Sequence, residues 1–132
     1  MNIDKFTEKA QQAIAESQDI ALKMGHPQVD GEHIHFALLK QEDGLIPRLI
    51  EIMGVDISLI TNDIQKELDR IPKVYGSSTS NLYASRRFNE LLINSEDEAK
   101  RFKDEFTGVE HIYLALLKER NTPSEGLFRR YN

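Results

Sequence analysis

The side chains in this sequence best suited to chemistry are four histidines and a few acids beside them. Glu32, His33 and His35 fall within four positions, His26 lies just upstream, and a second Glu-His pair, Glu110-His111, stands 78 positions after Glu32-His33. Imidazole and carboxylate are ordinary ligands of zinc and related ions, so a stand-alone metal-dependent enzyme is one reading. Helix geometry opposes it. Residues i and i+2 do not share a helix face, and Glu32-His33-Ile34-His35 is not the His-Glu-x-x-His pattern that aims two imidazoles the same way. His33 and His111 occupy one place in a repeated segment. This points to structural rings, each packed at its helix start and bonded to a nearby backbone group. No metal is expected. The chain has no cysteine, no Gly-x-Ser-x-Gly elbow and no Gly-x-x-x-x-Gly-Lys-(Ser/Thr) loop, so neither an activated nucleophile nor a nucleotide cradle is visible.

A second set pairs hydroxyls with acids: Thr7 with Glu32, and Ser85 with Glu110. Hydroxyl residues suit helix N-caps, where the oxygen accepts from a free first-turn N–H, and acids in the first turn oppose the positive end of the helix dipole. Each Glu is expected at an exposed helix start beside a hydroxyl cap.

The elements that place these residues read as helices. After the Thr7 cap, Ala10, Ala13, Ile14, Ser17, Ile20, Ala21 and Met24 follow helical spacing, and Gly25 with His26-Pro27 stops the run. Asp30 caps the helix carrying Glu32, Ile34, Ala37 and Leu38, and Asp43-Gly44 breaks it. A third helix is predicted over 46–53, with Pro47 in its first turn and Gly54 after it. Asp56 caps a fourth, with Ile57, Ile60, Ile64 and Leu68 on one face and Pro72 beyond its end. Residues 72–82 are rich in small polar side chains and read as a flexible connection. The pattern then restarts at Ser85.

Residues 7–40 align with 85–118 without a gap, ten of 34 positions being identical. The match peaks at Glu32-His33-Ile34 … Ala37-Leu38-Leu39-Lys40 against Glu110-His111-Ile112 … Ala115-Leu116-Leu117-Lys118. An internal repeat decides the fold class. It is all-α, one domain over 1–132, with two four-helix repeats about a pseudo-twofold axis: repeat 1 at 3–71, a linker at 72–82 and repeat 2 at 83–132. By offset, repeat 2 is expected to lack its last helix.

The net charge of −5 is uneven: residues 1–71 carry −6 and residues 72–132 carry +1. The basic pairs Arg86-Arg87, Lys100-Arg101 and Arg129-Arg130 are dispersed, so no nucleic-acid partner is expected. No apolar run approaches the ~18 residues of a membrane span and no signal peptide is visible, so no membrane partner and a cytoplasmic location are expected.

The doubled Glu-His-Ile … Ala-Leu-Leu motif, with Thr7-Glu8-Lys9-Ala10 and Gly25-His26 ahead of the first copy, resembles the Clp N-terminal repeat of AAA+ chaperones over residues 3–131. Leu68-Asp69-Arg70-Ile71-Pro72-Lys73-Val74-Tyr75-Gly76 is similar to the inter-repeat linker of the ClpB disaggregase branch. The resemblance implies a non-catalytic, monomeric domain that engages unfolded or aggregated proteins, helped by an apolar groove. It implies a homohexameric parent that disaggregates stress-denatured protein with a DnaK-type chaperone system, its ATP and Mg held in modules downstream. It carries substrate contact onto Thr7, Asp104 and Glu110. In the ClpC-like branch, the alternative, the same repeat docks adaptors or phosphoarginine through the Thr and Glu of each copy, here Thr7, Glu32, Ser85 and Glu110. Gly31 and Val109 stand where that branch has Thr.

Overall fold

The computed structural model describes residues 2–74 and 82–131. Among them are seven α-helices: α1 (Glu8–Lys23), α2 (Gly31–Lys40), α3 (Leu45–Ile52), α4 (Ile57–Asp69), α5 (Arg86–Arg101), α6 (Val109–Lys118) and α7 (Pro123–Tyr131). The fold is all-α. Periodicity did not signal one small addition, the two-residue strands β1 (Gln28–Val29) and β2 (Tyr83–Ala84), which pair in parallel. The predicted connection at 72–82 falls mostly on residues 75–81, outside the described residues.

The helices begin and end where local chemistry directs. Thr7 and Ser85 each accept from the N–H three residues on, and the Asp56 carboxylate accepts from Ser58 and Leu59. Gly25 ends α1 at φ 72° and Gly54 follows α3 at φ 84°, left-handed conformations that cost a glycine little. α5 and α6 start and stop 78 positions after α1 and α2, and α7 starts 78 after α3. Positive φ recurs at the same offset, at Gly25 and Lys103 and again at Asp43 and Asn121.

The buried stripes of α1 (Ala10, Ala13, Ile14, Ala21) and α5 (Phe88, Leu91, Leu92, Ala99) close on α2 and α6. Ile34, Leu38, Ile112 and Leu116 have no exposed surface at the centre of this core. His35 and Tyr113 are equivalent positions, and they hydrogen-bond to each other at 2.8 Å. The pseudo-twofold axis therefore runs between them. The extended links obey the same symmetry: Val29 pairs with Ala84, and their equivalents Thr107 and Phe6 form a parallel bridge. Through these links each half sets its hydroxyl cap beside the other half's acidic helix start.

Candidate functional site

Two pseudo-equivalent sites result, with opposite contents. In the first, Ser85 and Arg87 at the start of α5 face Asp30, Gly31 and Glu32 at the start of α2. The Arg87 guanidinium clamps Glu32 with two bonds of 2.6 and 2.7 Å and Glu119 with two of 2.9 and 3.1 Å, and reaches Asp30 at 3.4 Å. Ser85 Oγ donates to Asp30 at 2.9 Å, and Ser124 Oγ on α7 donates to Glu32 at 3.0 Å. Burial pushes the Glu32 carboxyl up, but hydrogen bonds and charge from Arg87 outweigh it and hold the group below the usual range. Burial works against the Arg87 charge, yet Glu32 and Glu119 raise its affinity for the proton.

Glu32 is thus not the exposed acid expected from its place in the first turn. It is 4% exposed, because a cation from the other half covers it. Ser85 is also buried, with its hydroxyl shared between the α5 cap and Asp30. Gly31 makes the clamp fit: a Cβ there would stand 2.5 Å from Arg87 Nη2 and 2.8 Å from Cζ. We expect Gly31→Ala to dislodge the guanidinium and cost about 1–3 kcal/mol in chemical denaturation. The same change in an Arg87→Ala background should cost nothing, and equal losses in both backgrounds would refute the clash.

The second site is open. Thr7 caps α1, and its N–H donates to the Thr107 carbonyl at 2.9 Å. The equivalent of Arg87 is Lys9, whose ammonium donates to the Glu42 carbonyl at 3.1 Å. The equivalents of Asp30, Glu119 and Ser124 are Gly108, Gln41 and Ile46, so the two acids are replaced by uncharged residues and the hydroxyl by an apolar side chain, and the Gln41 amide donates to the Lys9 carbonyl at 2.9 Å. Glu110 is exposed, its carboxylate folded back over Gly108 where a Cβ would lie, and it makes no ion pair with the described residues. Asp104 accepts from His111 Nε2 at 2.8 Å, and half of its side chain is in solvent. The structure therefore joins Thr7 through its N–H to Thr107, on the segment between Asp104 and Glu110, and sets Glu32 and Ser85 apart in the clamp.

The histidines are buried, and their neighbours decide their tautomers. His33 Nδ1 accepts from the Asp30 N–H at 2.9 Å and His111 Nδ1 from the Gly108 N–H at 2.8 Å, the backbone partners expected. His33 Nε2–H is then left to donate to His26 Nδ1 at 2.8 Å. Ser124 gives its proton to Glu32, so His35 Nδ1–H donates to Ser124 Oγ at 2.9 Å and Tyr113 O–H donates to His35 Nε2. Burial lowers His33 to about 4, helped by His26, and lowers His35 to about 3. His33 and His35 therefore point to different partners. Among the described residues no three His, Cys, Asp or Glu side chains are grouped to hold a metal ion.

An apolar groove of about 600 Å³ opens between α3, α6, α7 and the start of α4, lined by Leu49, Ile50 and Met53, by Val55 and Ile60, by Tyr113, Leu114 and Leu117, and by Phe128 and Tyr131, with Glu110 on its wall. Of the apolar residues whose direction the sequence left open, Leu39 is buried, Phe36 and Leu114 are half-buried and Leu117 is 46% exposed. Sequence reasoning missed Arg87, Glu119 and Ser124. The one local signal was Gly31, a helix-start glycine at the position that is Val109 in the second copy.

The model of the family described as "Clp repeat (R) N-terminal domain" matches residues 5–130. The chain is 44% identical over 121 residues to the chaperone protein ClpB of Nitratidesulfovibrio vulgaris, covering 90% of this chain and 14% of that protein. It is 42% identical to the ClpB of Clostridium tetani, covering 100% of this chain and 16% of that one. The chain thus spans about one seventh of the length of these relatives. In fold it is similar to the Hsp104 N-terminal domain from Candida albicans (TM-score 0.84, 18% identity, 96% of this chain and 81% of that one). The N-terminal domain of ClpD from Arabidopsis thaliana matches with TM-score 0.71 at 18% identity, over 98% of this chain and 89% of that one.

Proposed function

Since the chain belongs to the Clp repeat N-terminal domain family, we propose that it is the client-engaging N-terminal domain of a ClpB-like disaggregase. Identities of 42–44% to ClpB proteins support this branch. The domain recognises clients and makes or breaks no bond in them. ATP and Mg belong to modules of the longer protein, a homohexamer working in the cytoplasm with a DnaK-type partner.

The observation that carries the client contact is the asymmetry of the two sites. Glu110 is exposed and without an ion pair among the described residues, and Asp104, though bonded to His111, keeps half of its side chain in solvent, whereas Glu32 and Ser85 are buried and occupied from within. Phe102 and Phe106 flank Asp104, 58 and 45% exposed. Acids beside partly exposed aromatic rings suit a chain segment that mixes apolar and cationic side chains, which unfolded protein displays and folded protein hides. Weak affinity suffices where several tethered domains act together.

The expected result is that Glu110→Ala with Asp104→Ala weakens binding of a permanently unfolded, alkylated protein by about tenfold, read by titration. Glu8→Ala, at an exposed acid of α1, should leave binding unchanged. Unchanged binding in the double variant would sink the assignment. Tight binding of free phosphoarginine, lost in Glu110→Ala, would move the domain to the ClpC-like branch.

A further inference from the structure

The two halves close the same corner with different chemistry. His33 and His111 are equivalent, and each ring reaches back to the link behind its helix: His33 to His26 at 2.8 Å, His111 to Asp104 at 2.8 Å. His26 and Asp104 are themselves 78 positions apart. One half therefore joins two imidazoles, and the other joins an imidazole to a carboxylate.

In the first pair no nitrogen lone pair is spare. His33 Nδ1 accepts from the Asp30 N–H and His26 Nδ1 accepts from His33. His26 Nε2 then carries its proton, in a ring only 3% exposed, and finds no acceptor among the described residues. A further proton on His26 Nδ1 would set two N–H groups face to face at 2.8 Å, and on His33 Nδ1 it would meet the Asp30 N–H at 2.9 Å. Either way a bond breaks and a buried cation is left beside a neutral ring. A proton on His111 instead gains an ion pair with Asp104. The charges around the first pair do not supply that compensation. Asp30 and Glu32 on α2 are engaged by Arg87 of α5, and beyond α4 Lys73 opposes a cation at His26 while Asp69 favours one. Burial and then Lys73 hold His26 below its ordinary value, and burial and then His26 lower His33 to about 4, against the pull of Asp30 and Glu32.

This corner also anchors chain that is distant in sequence. His26 sits in the link from Gly25 to Val29. The Gly25 carbonyl accepts from the Val74 N–H at 2.8 Å, the Pro27 carbonyl from Tyr83 at 3.2 Å and the Val29 carbonyl from Ser85 at 3.0 Å. Chain from the end of the first repeat and chain from the start of the second are thus fastened to one link. We propose that the His26–His33 pair is a proton-operated latch: acid breaks its bond and frees the link, and with it Val74 and Tyr83 to Ser85, in the first half only. The latch borders the clamp, because Asp30 supplies the N–H that His33 takes and the carboxylate that holds Ser85 and Arg87.

Amide hydrogen exchange resolved by residue tests the latch in the 132-residue chain. The Ser85 N–H has a twin in the Thr7 N–H, which donates to the Thr107 carbonyl at 2.9 Å. A freed imidazole titrates near 6.5, so the open corner gains about tenfold or more between about pH 7 and about pH 5. The ratio of Ser85 protection to Thr7 protection, corrected for intrinsic exchange, should fall by about tenfold across that range, and Val74 should follow Ser85. His26→Asp gives the first pair the acceptor of its twin and should hold the ratio level. His26→Asn, which accepts from His33 and does not titrate, should do the same and serves where the aspartate disturbs the corner, circular dichroism at neutral pH reporting the fold of each. A level ratio in the unmodified chain overturns the proposal, since acid would then loosen both halves alike. A fall that persists in His26→Asn overturns it too, since the proton would then act elsewhere.

Discussion

Arg87→Ala is expected to lower unfolding stability by about 3–5 kcal/mol, the range for removing one partner of a buried ion pair. The loss comes less from the missing attraction than from what stays behind. Glu32 is 4% exposed, and without the guanidinium only Ser124 among the described residues still donates to it, with Asp30 and Glu119 close by. A domain of this size is stable by about 5–15 kcal/mol, so the loss removes a large share of the stability. Urea denaturation at neutral pH measures the effect. Glu32→Gln added to Arg87→Ala removes the stranded charge and should recover part of the loss. The apolar pair Glu32→Leu with Arg87→Met should come closer still to the parent, because apolar side chains of similar volume often match or exceed a buried ion pair. A loss under about 1 kcal/mol in Arg87→Ala would show that solvent already screens the clamp.

Acid should weaken the fold well above the pH at which carboxylates titrate. His33 and His35 are held neutral in the native state, at about 4 and about 3, against an unfolded value near 6.5. Between those values the unfolded chain binds more protons than the folded one, so stability rises with pH across this window and falls as pH drops through it. Each histidine contributes at most about 1.4 kcal/mol per pH unit, giving a combined loss on the order of 5 kcal/mol from pH 6.5 to pH 4. Glu32, whose folded value is depressed, adds to the loss in the lower part of that window. His35→Asn keeps polar atoms in the space without a titrating ring and should flatten the slope by about half. An unfolding free energy that stays level from pH 7 to pH 4.5 would contradict burial of both neutral rings.

The two predictions share a cause. Glu32, Arg87, Ser124, His35 and Tyr113 form one hydrogen-bonded chain across the junction of the halves. The half that contributes Glu110 has no such chain, because Ile46 stands where Ser124 would be and Lys9 turns to the Glu42 carbonyl. A duplicated scaffold thus keeps one acid for cohesion and leaves its twin in solvent.

The helices, their caps and their stops were legible in the residues because they depend on neighbours within one turn: Thr7 on Ala10, Asp56 on Ser58, Gly25 on its own φ. The repeat was legible for the same reason, since two copies of a local pattern fold alike. The backbone partners of His33 and His111 also lie three residues away and could be anticipated. Which of two matched glutamates faces water could not be. That depends on Arg87, 55 positions from Glu32, and on Ser124, 92 positions away. The parallel pairing of Val29 with Ala84 likewise joins residues with no local bond to foretell it. By itself the sequence determined the elements and their doubling, through short-range sterics, capping and periodicity. Tertiary structure alone decided which copy of each site is filled, because a buried charge is settled by whatever cation the folded chain brings within hydrogen-bond reach.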